Sequence, residues 1–145
     1  MVFKVDWVLK DELAVSRAPK NLENLDYLKS IGIKSILTLC SEDEIALPEN
    51  IKSDFYWERY LSPDHKYKEK LELETVKKAL EIANNLAKKG PLLIHCYAGI
   101  ERSPLICMAW LVKNCNLSPF EAHDYLKEIH PISNPLPNQF SLLSE

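Results

Sequence analysis

The run Leu92-Leu93-Ile94-His95 is short, almost wholly apolar and set off in front by Gly90-Pro91, which reads as a strand buried on both faces. Only the stretch from Cys96 to Arg102 separates it from Ser103-Pro104, a pair suited to the N-cap and N1 positions of a helix. A strand that gives way to a helix through so short a loop is the building unit of α/β folds, and it places the loop at the C-terminal edge of a sheet. The rest of the chain agrees. Strand patterns fall near Val5–Leu9, Leu13–Val15, Ile33–Leu39 and Phe55–Leu61, with helical stretches between and after them. Leu73, Val76, Leu80, Ala83 and Ala87 recur at helical spacing up to Gly90-Pro91, and Ser118, Pro119 and Glu121 form an N-cap, N1 and N3 set. The expected architecture is a central, mostly parallel, twisted sheet of about five strands flanked by helices. A length of 145 residues suits one domain spanning residues 1–145, with neither repeats nor linkers.

The loop itself carries chemistry. Five residues, Tyr97 to Glu101, separate Cys96 from Arg102, enough for successive backbone N–H groups to point into one concavity that holds an anion. The positive end of the following helix faces the same concavity, so a phosphate group suits it. Arg102 would close the ring with a planar fork matched to two phosphate oxygens, a geometry lysine cannot copy, and Arg102→Lys is expected to be severe. Dipoles that stabilise phosphate also stabilise a thiolate, which makes Cys96 a candidate nucleophile. His95 and the loop residues Tyr97, Ala98, Gly99, Ile100, Glu101 and Arg102 are the candidate substrate-binding set.

His95-Cys96-Tyr97-Ala98-Gly99-Ile100-Glu101-Arg102-Ser103 satisfies each fixed position of HC-x5-R-[ST] and resembles the cysteine-dependent tyrosine and dual-specificity phosphatases. Leu13 to Pro19, Asn21-Leu22 through Ile33, Leu117 to Pro131 and Pro137-Asn138-Gln139-Phe140 extend the likeness to small, single-domain members across nearly the whole chain. The resemblance implies a dual-specificity phosphatase-like fold and a two-step phosphoryl transfer without metal or organic cofactor. Cys96 would take the phosphoryl group, and an aspartate about thirty residues upstream would protonate the leaving oxygen and then activate water. Asp64, which lies 32 positions before Cys96 in the polar stretch Leu61-Ser62-Pro63-Asp64-His65, fits that role; a turn aspartate after proline is the simpler alternative. Asp54 and Glu58 fit less well because they fall in the alternating strand. Ser103 would hydrogen-bond the sulfur and help it leave, a role compatible with N-capping. His95 would orient the loop through backbone bonds, or be only a buried, satisfied histidine. The stretch Leu39-Cys40-Ser41-Glu42 resembles that around the resolving cysteine of the phosphatase-and-tensin family, which makes Cys40 a possible redox partner of Cys96; a buried strand-end cysteine is the alternative.

Glu101 departs from the common pattern; its side chain is expected to point outward toward a lysine or Arg17, the alternative being that it faces the substrate and repels extra negative charge. Tyr97 and Ile100 are neutral where phosphatase-and-tensin lipid enzymes carry lysines, which disfavours phosphoinositides and 5′-triphosphate RNA ends. The formal charge of −3, with 18 scattered lysines and arginines, argues against nucleic acid as a partner; Lys66, Lys68 and Lys70 do cluster after Asp64. No stretch is long and apolar enough to span a membrane. Four cysteines without framework spacing suit a reducing, cytoplasmic setting, and Cys107 and Cys115 read as small buried residues of the helix after the loop. The expected protein is a monomer acting on phosphotyrosine and phosphoserine or phosphothreonine in protein substrates. A phosphoinositide or nucleotide phosphatase and a non-catalytic phosphate-recognition module are the alternatives.

Overall fold

In the computed structural model, which describes residues 2–61 and 73–134, strand β5 (Leu92–His95) is buried along its whole length. It lies between two parallel neighbours, β2 (Leu13–Ser16) and β3 (Ser35–Thr38), which are equally buried. The edges are β1 (Val5–Leu9), antiparallel to β2, and β4 (Tyr56–Arg59), parallel to β3, giving the order β1-β2-β5-β3-β4. Only one strand of the five runs against the rest, so the sheet is the mostly parallel one expected.

Side chains alternate across a strand, and each face of the sheet therefore collects its own core. Leu92 and Ile94 join Val15 and Leu37 beneath helices α3 (Leu73–Ala87), α4 (Arg102–Cys115) and α5 (Pro119–Ile129). Leu93 joins Ala14 and Ile36 on the opposite face, against Leu25 and Leu28 of α1 (Leu22–Ser30) and Phe55. The apolar stripe of α3 is core as its period indicated, with Val76, Ala79, Leu80, Ala83 and Leu86 buried. Gly90 follows it at φ +142, where a Cβ would come within 2.6 Å of the Lys34 side chain. Only glycine fits there, and the chain turns directly into β5.

Three boundaries differ from the sequence expectation. The short helix α2 (Ile51–Asp54) precedes β4, so Asp54 is not in a strand; its carboxylate sits 2.7 Å from Lys29 Nζ. Four residues carry too little periodicity to announce a helix. Strand β3 is shorter than Ile33–Leu39, although Leu39 N–H still donates to the His95 carbonyl at 3.0 Å. Helix α4 starts at Arg102 behind Glu101, so Ser103 is not its N-cap. By contrast, Ser118 and Glu121 form the expected capping box at the start of α5.

Candidate active site

The registers Ser16↔His95 and Thr38↔His95 bring the C-terminal ends of the three central strands together, and residues 96–101 leave the middle of that edge. Gly99 lets the loop curl there. Its φ is +74, and a Cβ would lie 3.0 Å from the backbone of Ser16 and Arg17, so any larger residue would be strained and would have to shift the loop against the end of β2. The loop's carbonyls are drawn outward: Tyr97 O accepts from Ala18 N–H at 3.1 Å and Ile100 O from Asn134 N–H at 2.6 Å. In a planar trans peptide the C=O and the next N–H point in opposite directions. The N–H groups of Ala98 and Glu101 therefore face away from Ala18 and Asn134, the arrangement an anion nest requires.

Cys96 is only 2 % exposed at the base of this loop, with its Sγ 3.2 Å from Ser103 Oγ. By starting one residue early, α4 places that hydroxyl over the sulfur rather than over its own backbone. A hydroxyl donating to sulfur stabilises it as an anion and as a leaving group.

His95 holds the strand end in one arrangement. Its Nδ1 lies 3.1 Å from the Cys96 carbonyl, which can only accept, so that nitrogen carries the proton. Nε2 lies 2.7 Å from Thr38 Oγ1 and accepts from that hydroxyl, while Trp57 Nε1–H donates to the same oxygen at 2.9 Å. Complete burial holds the ring down to about 4, with Arg59 and Arg102 acting in the same direction. It is therefore neutral at neutral pH. The structure gives His95 the orienting contacts expected of it and the burial of the alternative at once.

Arg102 is also buried, at 3 % exposure, and meets Glu44 in a two-pronged ion pair, Nη1 to Oε2 at 3.0 Å and Nη2 to Oε1 at 2.6 Å. Glu44 belongs to the loop after β3, folded back so that Ser41 N–H donates to its carboxylate at 3.0 Å. A carboxylate fork of this kind sets the plane of the guanidinium. The sequence did not single out Glu44, since Glu42, Asp43 and Glu44 are adjacent acids and nothing in their spacing says which one turns inward. Thr38 and Trp57 were missed because their hydrogen bonds run between strands and leave no local pattern.

Other expectations need correction or fall outside the described residues. Glu101 is buried, at 8 % exposure, and does not point out to solvent; a carboxylate at the start of α4 is favoured by the helix dipole. Arg17 instead stacks over the Phe3 ring at 4.9 Å and donates to Ala18 O at 2.9 Å. Cys40 is buried and free, its thiol pushed up to about 11 by burial first and by the charge on Cys96 second. Cys107 is buried on α4, raised by the same two causes, whereas Cys115 is exposed, contrary to expectation. Asp64, the lysines at 66, 68 and 70, and the segment Pro137-Asn138-Gln139-Phe140 lie outside the described residues. Beside the loop a cavity of about 420 Å³ opens between Ala98, Ile100, Pro131 and Ile132, with Arg17 and Lys4 at its rim.

A parallel sheet whose central strand feeds a cysteine into an anion nest and then a helix defines a phosphatase-type α/β domain. Residues 17–145 match the family model "Dual specificity phosphatase, catalytic domain", and the chain belongs to this family of cysteine-dependent phosphatases. Human dual specificity protein phosphatase 5 is 48 % identical over 48 residues, 33 % of this chain and 12 % of that protein. Drosophila melanogaster dual specificity protein phosphatase MPK-4 is 30 % identical over 106 residues, 72 % of this chain and 26 % of that protein. The phosphatidylglycerophosphate phosphatase PTPMT1 of Arabidopsis thaliana is 27 % identical over 105 residues, 72 % of this chain and 31 % of that protein. The chain thus matches less than a third of the length of these relatives. Among solved structures, Tk-PTP in its active form superposes with a TM-score of 0.83 at 21 % identity, covering 99 % of this chain and 96 % of that one. At that identity the match speaks for the fold. Among the described residues no helix is long and apolar enough to cross a membrane.

Proposed function

We propose that this chain hydrolyses phosphotyrosine and phosphoserine or phosphothreonine in proteins through a cysteinyl-phosphate intermediate. The observation that carries the reading is the Cys96 sulfur at the base of the loop, with Ser103 Oγ at 3.2 Å and Arg102 held on the adjacent helix turn by Glu44. The Cys96 thiolate attacks phosphorus, the bond to the substrate oxygen breaks, and Asp64 gives that oxygen its proton. Asp64, now a carboxylate, takes a proton from water, whose oxygen attacks phosphorus and returns the sulfur as thiolate with Ser103 donating to it. Arg102 and the loop N–H groups hold the phosphoryl oxygens throughout. The assignment of Asp64 rests on its spacing from Cys96. Cys40 is proposed as the partner that traps oxidised Cys96 in a disulfide, and a reducing, cytoplasmic setting is proposed because the nucleophile must stay reduced to work.

Protein substrates are favoured by the neutral loop side chains Tyr97, Ala98 and Ile100, and the cavity beside them suits an apolar residue flanking the phosphorylated one. A lipid phosphomonoester is the second reading, because the Arabidopsis relative is a phosphatidylglycerophosphate phosphatase. Hydrolysis of p-nitrophenyl phosphate without metal, under reducing conditions, is expected for the wild type and lost in Cys96→Ser. A panel of phosphopeptides, phosphoinositides and phosphatidylglycerophosphate then separates the readings. Faster turnover of the lipids would reject the protein-phosphatase assignment, and no turnover despite phosphate binding would leave a recognition module.

A further inference from the structure

Gly99 is at once favoured and weak. At φ +74, with the Ser16 and Arg17 backbone 3.0 Å from where a Cβ would sit, any other residue is strained and crowded, yet a residue without a Cβ restrains its neighbouring peptide planes least of all. The peptide from Gly99 to Ile100 therefore needs an outside partner to hold its orientation, and His130 supplies one. His130 caps the C-terminal end of α5, 3 % exposed, with its N–H closing on Leu126 O at 2.7 Å and its carbonyl accepting from Ser133 N–H at 2.9 Å. Its ring is clamped between two elements. Nδ1 lies 2.6 Å from Asp6 Oδ2 on β1, and Nε2 lies 2.6 Å from the Gly99 carbonyl. Both partners only accept, so both contacts are hydrogen bonds when each ring nitrogen carries its proton.

We propose that His130 is a positioning residue of the phosphate loop: its Nε2–H holds the Gly99 carbonyl outward and so turns the Ile100 N–H into the anion nest, while Asp6 holds the ring for that contact. The inference rests on the phosphatase reading for its functional consequence. It extends the pattern already seen at Tyr97 and Ile100, whose carbonyls are drawn outward by backbone donors. At Gly99 a side chain does this, across the gap from α5 to the loop.

Two substitutions separate positioning from packing, because the amide nitrogen of asparagine falls near the Nδ1 place and that of glutamine near the Nε2 place. His130→Gln keeps a donor for Gly99 and gives up Asp6; His130→Asn keeps Asp6 and gives up Gly99. Each loses one hydrogen bond, so their melting temperatures should fall by similar amounts. Tungstate affinity and kcat on p-nitrophenyl phosphate should stay within about threefold of wild type in His130→Gln and fall by about 10- to 100-fold in His130→Asn, the range for an unmet buried carbonyl. Equal losses in the two variants would overturn the proposal. If either fails to fold, ¹⁵N-histidine spectra of the wild-type tungstate complex decide: a protonated His130 Nε2 supports the contact, and a bare one removes it. Tungstate binding does not require turnover. A wild type that binds tungstate without hydrolysing the ester therefore sinks the hydrolase reading while leaving this comparison in force.

Discussion

His95 shows how one residue can be legible in identity and opaque in consequence. Its place before Cys96 is plain in the sequence, but its neutrality follows from a buried network with Thr38 and Trp57 that no local pattern reveals. Burial holds the ring down to about 4 against the ordinary imidazole value of 6.5, so between these values the unfolded chain binds a proton that the folded one refuses. Stability from this group is complete above pH 6.5 and is lost as pH falls toward 4, by about 3 kcal/mol in all. Urea unfolding at pH 7 and pH 4.5 should show that loss in the wild type and a smaller one in His95→Asn; parallel losses would mean the ring is not the titrating group. Glu44 is the opposite case, opaque in identity and clear in consequence. Glu44→Ala leaves the Arg102 guanidinium without its buried carboxylate, a change worth about 3 kcal/mol. An oxyanion in the loop can supply part of the missing charge, so saturating tungstate should narrow the gap in melting temperature between variant and wild type. An unchanged gap would show that Glu44 does not balance Arg102.

At the scale of elements, legibility followed the strength of local signals. Strand β5 has the bounds its apolar run indicated, because a continuous run stopped by Gly90-Pro91 leaves little choice. The start of α5 was equally clear. The start of α4 was not, since Ser103-Pro104 matches capping statistics while the loop's closure pulls Arg102 into the first turn. What decides there is tertiary: Ser103 Oγ is drawn to the Cys96 sulfur and does not cap its own helix. The two serines consequently predict different phenotypes. Ser118→Ala removes a true capping box and should cost about 1 kcal/mol of stability with kcat unchanged. Ser103→Ala should leave the melting temperature nearly intact and slow breakdown of the cysteinyl phosphate, visible as a burst of p-nitrophenol followed by a slower steady state. A burst-free loss of the whole rate would place Ser103 in the first step instead.

Across the whole molecule, the strand order β1-β2-β5-β3-β4 matters because it makes β3 and β5 parallel neighbours whose ends leave the sheet together. No local pattern could state this adjacency, since more than fifty residues lie between Thr38 and its partner His95. It carries the Cys40 hypothesis beyond a likeness of sequence. Leu39 N–H donates to His95 O at 3.0 Å, so Cys40 follows β3 within a residue of the level at which Cys96 follows β5, on strands about 4.8 Å apart. Peroxide would oxidise the Cys96 thiolate to a sulfenic acid, and the Cys40 thiolate would then attack its sulfur, forming the disulfide and expelling hydroxide, which takes a proton from solvent. Cys40 attacks as thiolate, and burial, the largest cause of its raised thiol, persists after Cys96 has lost its charge, so the closing step should speed up about tenfold per pH unit for as long as the Cys40 thiol is mostly protonated. Peptide mapping after brief peroxide treatment is expected to find the linked Cys40 and Cys96 peptides, in larger yield at pH 9 than at pH 7. Dithiothreitol should then restore activity in the wild type but not in Cys40→Ser, where Cys96 goes on to the sulfinic acid. Full recovery in Cys40→Ser, or no linked peptide at half inactivation, would leave Cys40 as a buried residue at the end of a strand.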